Sequence, residues 1–258
     1  MNLEKTELLL NRKLQEKGFD SYGVLVSVGN EKKFLHSVNV NADTYFDIAS
    51  MGKVLVTSTL ILKSIDEKVL SLDDTLQKFF DNVPSEKKTI TVGQLLTHTS
   101  GIIRYSIPQE AADKGSDAVA NFILSCPLAY APGTCYTYSC NGMILLGYIL
   151  EKIYNMPLEK IFDEKVKKTL GYTRSKFNIS IKEPNAAVCY RTDGLNGLEH
   201  PWDDENIRIL KTSAGSGGQF FTMADIEKFA DAVMCRSNSL YSETIFDNAE
   251  RNHVTNFG

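Results

Sequence analysis

The 258-residue chain has no apolar run approaching the ~18 residues that cross a bilayer, so no membrane-spanning helix is expected. It also has no basic block or stripe. Its 28 Lys and Arg against 32 Asp and Glu leave a net charge of −4, so the field that draws a protein to nucleic acid or an anionic lipid surface is missing. The five cysteines, Cys126, Cys135, Cys140, Cys189 and Cys235, form no CxxC and cannot all pair, which fits a reducing compartment better than a disulfide framework. At the N-terminus, Glu4, Lys5 and Glu7 precede only a short apolar run, whereas a signal peptide needs a basic start and a longer one. A cytoplasmic location is expected for the sequence as written, and an extracytoplasmic one if a leader is missing. GxSxG, HExxH, GxxxxGK(S/T) and GxGxxG are all absent. His36, His98, His200 and His253 lie far apart without ligand-spaced partners, so neither a metal site nor a cofactor is expected.

What is present is a core-forming composition: 43% apolar and 23% charged residues with 17 Gly and 7 Pro. The length suits one large domain or two interleaved lobes. After an amphipathic first helix, Tyr22 to Val28 and Lys33 to Val40 read as a hairpin turning at Gly29 and Asn30. Ile48 to Val69 reads as one long helix that is apolar on nearly every side. Shorter helices are expected over 73–80, 91–98 (introduced by Thr91), 116–125, 142–154, 157–168 and 223–235, and an irregular stretch over 171–219.

Ser-x-x-Lys occurs twice, and chance alone supplies roughly one or two matches at this composition. Ser85 and Lys88 lie in a charged loop after Pro84 and read as a solvated turn. Ser50 and Lys53 begin the most apolar helix, where three-residue spacing stacks amine and hydroxyl on one face. A serine hydroxyl is a weak nucleophile until a base takes its proton, and a lysine can be that base only when burial and a helix N-terminus favour its neutral form. On residues alone, Ser50 is equally a helix cap with Lys53 snorkelling outward. Cys135 and Cys140 read as ordinary thiols.

Around Ser50 the chain resembles the serine β-lactamase and penicillin-binding protein family, in its class C β-lactamase, D,D-peptidase and esterase branch. The resemblance runs through TYFDIASMGKVLVT at 44–57, SLDDTL at 71–76, ITVGQLLTHTSGI at 90–102, APGTCYTYSCNGMILLGYILEKI at 131–153, DDENIR at 203–208 and SAGSGGQFFTMADIEKFA at 213–230. It implies an α/β fold in which an antiparallel sheet flanked by helices faces an all-helical lobe. The expected division of this single domain, 1–258, is a sheet-side lobe of about 1–50 and 210–258 and a helical lobe of about 51–209. The implied chemistry is a Ser50 acyl-enzyme with Lys53 as base and Tyr138 as proton relay, acting on a peptide-like amide, a β-lactam or an ester.

The family's Tyr-x-Asn motif falls on Tyr138 and Cys140, so a thiol stands where the substrate-holding amide belongs. A thiol is a weak partner, worth roughly 1 to 3 kcal/mol less of grip unless Asn141 substitutes. Asn206 and Ser216 are further expected substrate contacts. His98-Thr99-Ser100-Gly101 reads as the family's structural turn, and the third motif, Lys-Thr-Gly or His-Thr-Gly, does not occur. The sheet is therefore expected to be incomplete, with self-association through its open edge. Two alternatives stand beside an active hydrolase: a weak or inactive relative that binds a cell-wall peptide or protein, and a piece of a longer enzyme.

Overall fold

The computed structural model describes residues 1–179, 183, 185–187 and 204–254. Cys189, His200, Asp203 and much of the expected irregular stretch lie outside them. Helix α1 (Glu4–Gln15) has acidic residues in its first turn and basic ones in its last, the arrangement that the helix dipole favours. Strands β1 (Gly23–Val28) and β2 (Glu31–His36) then form the hairpin, with Val28 opposite Glu31 across Gly29 and Asn30. The second strand starts two residues earlier than its alternation implies and ends at His36. Within the described residues no further strand pairs with this hairpin.

Strand β3 (Phe46–Asp47) leads into the segment that carries Ser50. The expected single helix over 48–69 is in fact three pieces: a 3-10 turn at Ala49–Met51, a π-helical turn at Lys53–Ser58, and α2 (Thr59–Asp66). The Thr59 hydroxyl donates to the Val54 carbonyl at 2.8 Å, five residues back across that wide turn. Left-handed Lys68 (φ 61°) follows the helix end.

The next helices are α3 (Val92–Leu96), α4 (Gln109–Asp113), α5 (Ser116–Ser125) and α6 (Cys140–Tyr154). Thr91 opens α3 with a full capping box closed by Gln94, and Ser139 caps α6 by accepting from the Gly142 amide. The segment expected as a helix at 73–80 holds only a 3-10 turn, Leu76–Lys78. Helix α6 is buried on nearly every side and forms the centre of an apolar core that reaches from Tyr45 to Phe221.

Helices α7 (Leu158–Phe162) and α8 (Lys168–Leu170) join through a π-helical turn, Asp163–Lys167, and strand β4 (Lys176–Phe177) follows. Helix α9 (Glu205–Leu210), strand β5 (Gln219–Phe221), helix α10 (Met223–Met234) and helix α11 (Glu243–Ala249) complete the described chain. Strand β5 is the middle of a three-stranded antiparallel sheet, setting Phe221 opposite Phe46 and Gln219 opposite Phe177. Helix α10 lies against the hairpin, where the Lys32 amine meets Glu227 and Asp231 at 2.7 Å each.

Candidate active site

Ser50 stands at the junction of β3 and the helical segment, and the chain reaches it through a strained residue. Ala49 has φ +44°, and the Asp47 carboxylate holds it by accepting its amide at 2.8 Å. A non-glycine residue there costs on the order of 1 to 3 kcal/mol, which the surrounding structure must offset. Ser50 is exposed, whereas Lys53, one turn on, is only 4% exposed. The Lys53 amine lies 2.9 Å from Ser50 Oγ and donates to the Ser216 carbonyl at 2.7 Å. By contrast Ser85 is exposed in a 3-10 turn, and its hydroxyl meets Glu86 at 3.4 Å.

Residues 213–218 wall the amine in. The Thr57 hydroxyl, one turn beyond Lys53, donates to the Gly215 carbonyl at 2.7 Å, so consecutive carbonyls of this loop take one donor each from the same helix face. Gly215 permits the approach to α6: a Cβ there would stand 2.0 Å from the Met143 carbonyl oxygen. The Gln219 side chain braces the loop from below, donating to the Ala214 carbonyl at 2.8 Å, with its oxygen packed against the Cα of Gly52.

Tyr138 comes from the stretch that leads into α6. Its hydroxyl donates to Ser50 Oγ at 2.8 Å, and its ring centroid lies 5.1 Å from the Lys53 amine. His98, from the turn after α3, lies beside that ring with centroids 4.8 Å apart. Burial, and secondarily the Lys53 charge, lowers the His98 pKa below that of free imidazole. Serine hydroxyl, buried amine, phenol and imidazole thus meet from three separate segments of the chain.

The family model described as Beta-lactamase matches residues 8–255. The chain belongs to that family. A protein provisionally named D-alanyl-D-alanine carboxypeptidase from Escherichia coli (strain K12) is 30% identical over 160 residues, covering 56% of this chain and 36% of that protein. PbpX of Bacillus subtilis (strain 168), provisionally named a penicillin-binding protein, is 28% identical over 243 residues, covering 91% and 59% respectively. Among solved structures, the octameric penicillin-binding protein homologue from Pyrococcus abyssi superposes with a TM-score of 0.77 at 24% identity, covering 97% of this chain and 60% of that one. The chain therefore spans between about a third and three-fifths of the length of these three relatives. The fold is the α/β fold of β-lactamases and penicillin-binding proteins.

Within that family pattern the remaining expected contacts are placed unevenly. Cys140 is the buried first residue of α6, 4% exposed. Asn141 and Asn206 are fully buried, and their amides are engaged with the protein itself. Asn206 donates to the Asn141 oxygen at 3.3 Å, Asn141 donates to the Tyr105 carbonyl at 3.2 Å, and the Ile107 amide donates to the Asn206 oxygen at 3.2 Å. The pair ties α6 to α9 and to residues 105–107. Asn141 does not swing outward to replace the missing amide, because these bonds would be left unmade in a buried site. Ser216 contributes its carbonyl to Lys53, while its own hydroxyl is buried without a partner among the described residues. His98 and Gln219 escaped the sequence reading. The first looked like a turn residue, and the second carries no motif. Among the described residues no cluster of three or more His, Cys, Asp or Glu is arranged to hold a metal, and no helix is long and apolar enough to cross a membrane.

Proposed function

We propose that the chain is a serine acyl-hydrolase working through an acyl-enzyme on Ser50. One observation carries the reading: an exposed serine oxygen with a buried lysine amine at 2.9 Å and a tyrosine hydroxyl at 2.8 Å. In the reaction the Ser50 oxygen forms a bond to the substrate carbonyl carbon while its proton passes to Lys53 Nζ. As the tetrahedral intermediate collapses, the bond to the leaving group breaks and Tyr138 relays the proton to the departing nitrogen or oxygen. Water then releases the acyl group and restores Ser50. The Ser50 amide, at the start of the helical segment, is one oxyanion donor. The substrate class is a peptide-like amide, a β-lactam or an ester. Names of relatives that refer to penicillin binding and D-alanyl-D-alanine carboxypeptidase support this class. The same reading places the site between a sheet-side lobe of about 1–50 and 210–258, which brings Ser216, and a helical lobe of about 51–209, which brings Tyr138. Its test is turnover of p-nitrophenyl esters and a chromogenic cephalosporin, which Ser50→Ala should reduce to background.

A second reading is a catalytically weak relative that binds a cell-wall peptide or a protein partner. Cys140 favours it, because a thiol stands at the position where the family's motif has the amide that holds a substrate amide. If that thiol is the deficiency, Cys140→Asn should raise kcat/KM for amide and lactam substrates by about 5- to 150-fold, the equivalent of 1 to 3 kcal/mol. Esters, which need that contact less, should gain less. An unchanged kcat/KM would show that position 140 does not limit substrate binding.

A further inference from the structure

Tyr138 lies in an exposed stretch, and its phenol must be held over Ser50 by something outside that stretch. His98 does this from both sides. Its backbone is left-handed, with φ 58°. From that position its carbonyl oxygen accepts the amide of Thr137 at 2.9 Å, the residue before the tyrosine. Its Nδ1 lies 3.3 Å from the amide nitrogen of Ser139, the residue after. The imidazole is tilted 48° against the Tyr138 ring, and the Tyr136 ring meets the imidazole edge-on with centroids 6.2 Å apart. A backbone amide can only donate, so Nδ1 is the acceptor and the ring proton belongs on Nε2.

We infer that His98 is a positioning residue for acyl transfer: in its neutral, Nε2-protonated form it clamps residues 137–139 and so sets the Tyr138 hydroxyl on Ser50. The inference rests on the acyl-transfer reading above. The groups that face the imidazole are Lys53, Tyr136 and Tyr138. Burial and the Lys53 charge favour the neutral ring. Because the folded-state pKa lies below the unfolded value of about 6.5, the clamp's contribution to stability is complete above that pH. It declines as pH falls from there through the folded pKa, when protonation of Nδ1 removes the acceptor.

The test combines kinetics with a spectrum that does not depend on activity. His98→Asn keeps a short acceptor and tolerates the left-handed backbone, whereas His98→Phe keeps a ring without an acceptor. With a peptide-like p-nitroanilide, whose departing nitrogen needs the proton that Tyr138 relays, His98→Phe should slow acylation by about 10- to 100-fold, as misplacement of a reacting group does. His98→Asn should recover most of that loss. In a Tyr138→Phe background, adding His98→Phe should change the rate by less than about twofold, since the group being positioned is already gone. Equal losses in both backgrounds would overturn the proposal. A long-range 1H–15N spectrum of the full chain at pH 7 should show the His98 proton on Nε2, and an Nδ1–H tautomer or an imidazolium would also overturn it. If Ser50 fails to acylate in every form, the hydrolase reading falls, and the spectrum still decides whether the clamp exists.

Discussion

Lys53→Arg should abolish acylation of Ser50 although it retains the positive charge. The amine is buried between the Ser50 hydroxyl and the Ser216 carbonyl, so the side chain that replaces it must act from the same place. A guanidinium does not give up its proton at any pH at which the protein is folded, and it therefore cannot take one from serine. Loss of a positioned general base costs about 10² to 10⁴ in rate. The acylation rate with a p-nitrophenyl ester, read beside a thermal melt to confirm folding, checks the prediction. A folded arginine variant that acylates at the parent rate would reduce Lys53 to a structural role.

The largest expected effect on stability is at Asp225, far from the nucleophile in sequence and in role. Its carboxylate is fully buried in the first turn of α10 and accepts three backbone amides: Thr173 at 3.0 Å, Arg174 at 3.0 Å and Ser175 at 2.7 Å. Those bonds fix the turn between α8 and β4, and β4 in turn borders β5. Asp225→Ala would leave the three amides without their acceptor, the Ser175 amide in a buried position. The expected loss is about 3 to 5 kcal/mol, or a melting temperature lower by roughly 10 °C for a chain of this size. Asp225→Asn, which keeps one acceptor oxygen, should lose less. An alanine variant melting within about 2 °C of the parent would mean that water or a rearranged turn satisfies the amides.

Local signals in the chain were strong enough to place many elements. The two-residue turn at Gly29 and Asn30, the capping residue Thr91 and the helix at Ser116–Ser125 all depend on neighbours within a few positions. The short strands Phe46–Asp47, Lys176–Phe177 and Gln219–Phe221 do not. They form only because distant residues pair, and two or three residues carry no readable alternation. The helix after Ser50 was legible as apolar, but its π-helical turn was not, since the Thr59 bond that supports it looks like any other threonine in a helix. The same division holds at the site. The three-residue spacing of Ser50 and Lys53 is no rarer than chance, so their place at the start of the most apolar helix and the family resemblance single them out, and Tyr138 is legible through the resemblance alone. The bond between Asn141 and Asn206 was not legible, because an amide beside a motif is indistinguishable, in sequence, from an amide that bonds to another amide 65 residues away. His98 looked structural because its partners, the amides on either side of Tyr138, lie about 40 residues further along the chain.

Active-site labelling is the most direct test of the account. Incubation of the chain with a fluorescent fluorophosphonate or a reporter penicillin, followed by peptide mapping, should locate a single adduct on Ser50. Ser50→Ala should abolish it, and Lys53→Arg should suppress its formation. An adduct mapped to Ser85 or Cys140, or labelling that survives in Ser50→Ala, would contradict the central claim that the hydroxyl held between Lys53 and Tyr138 is the nucleophile.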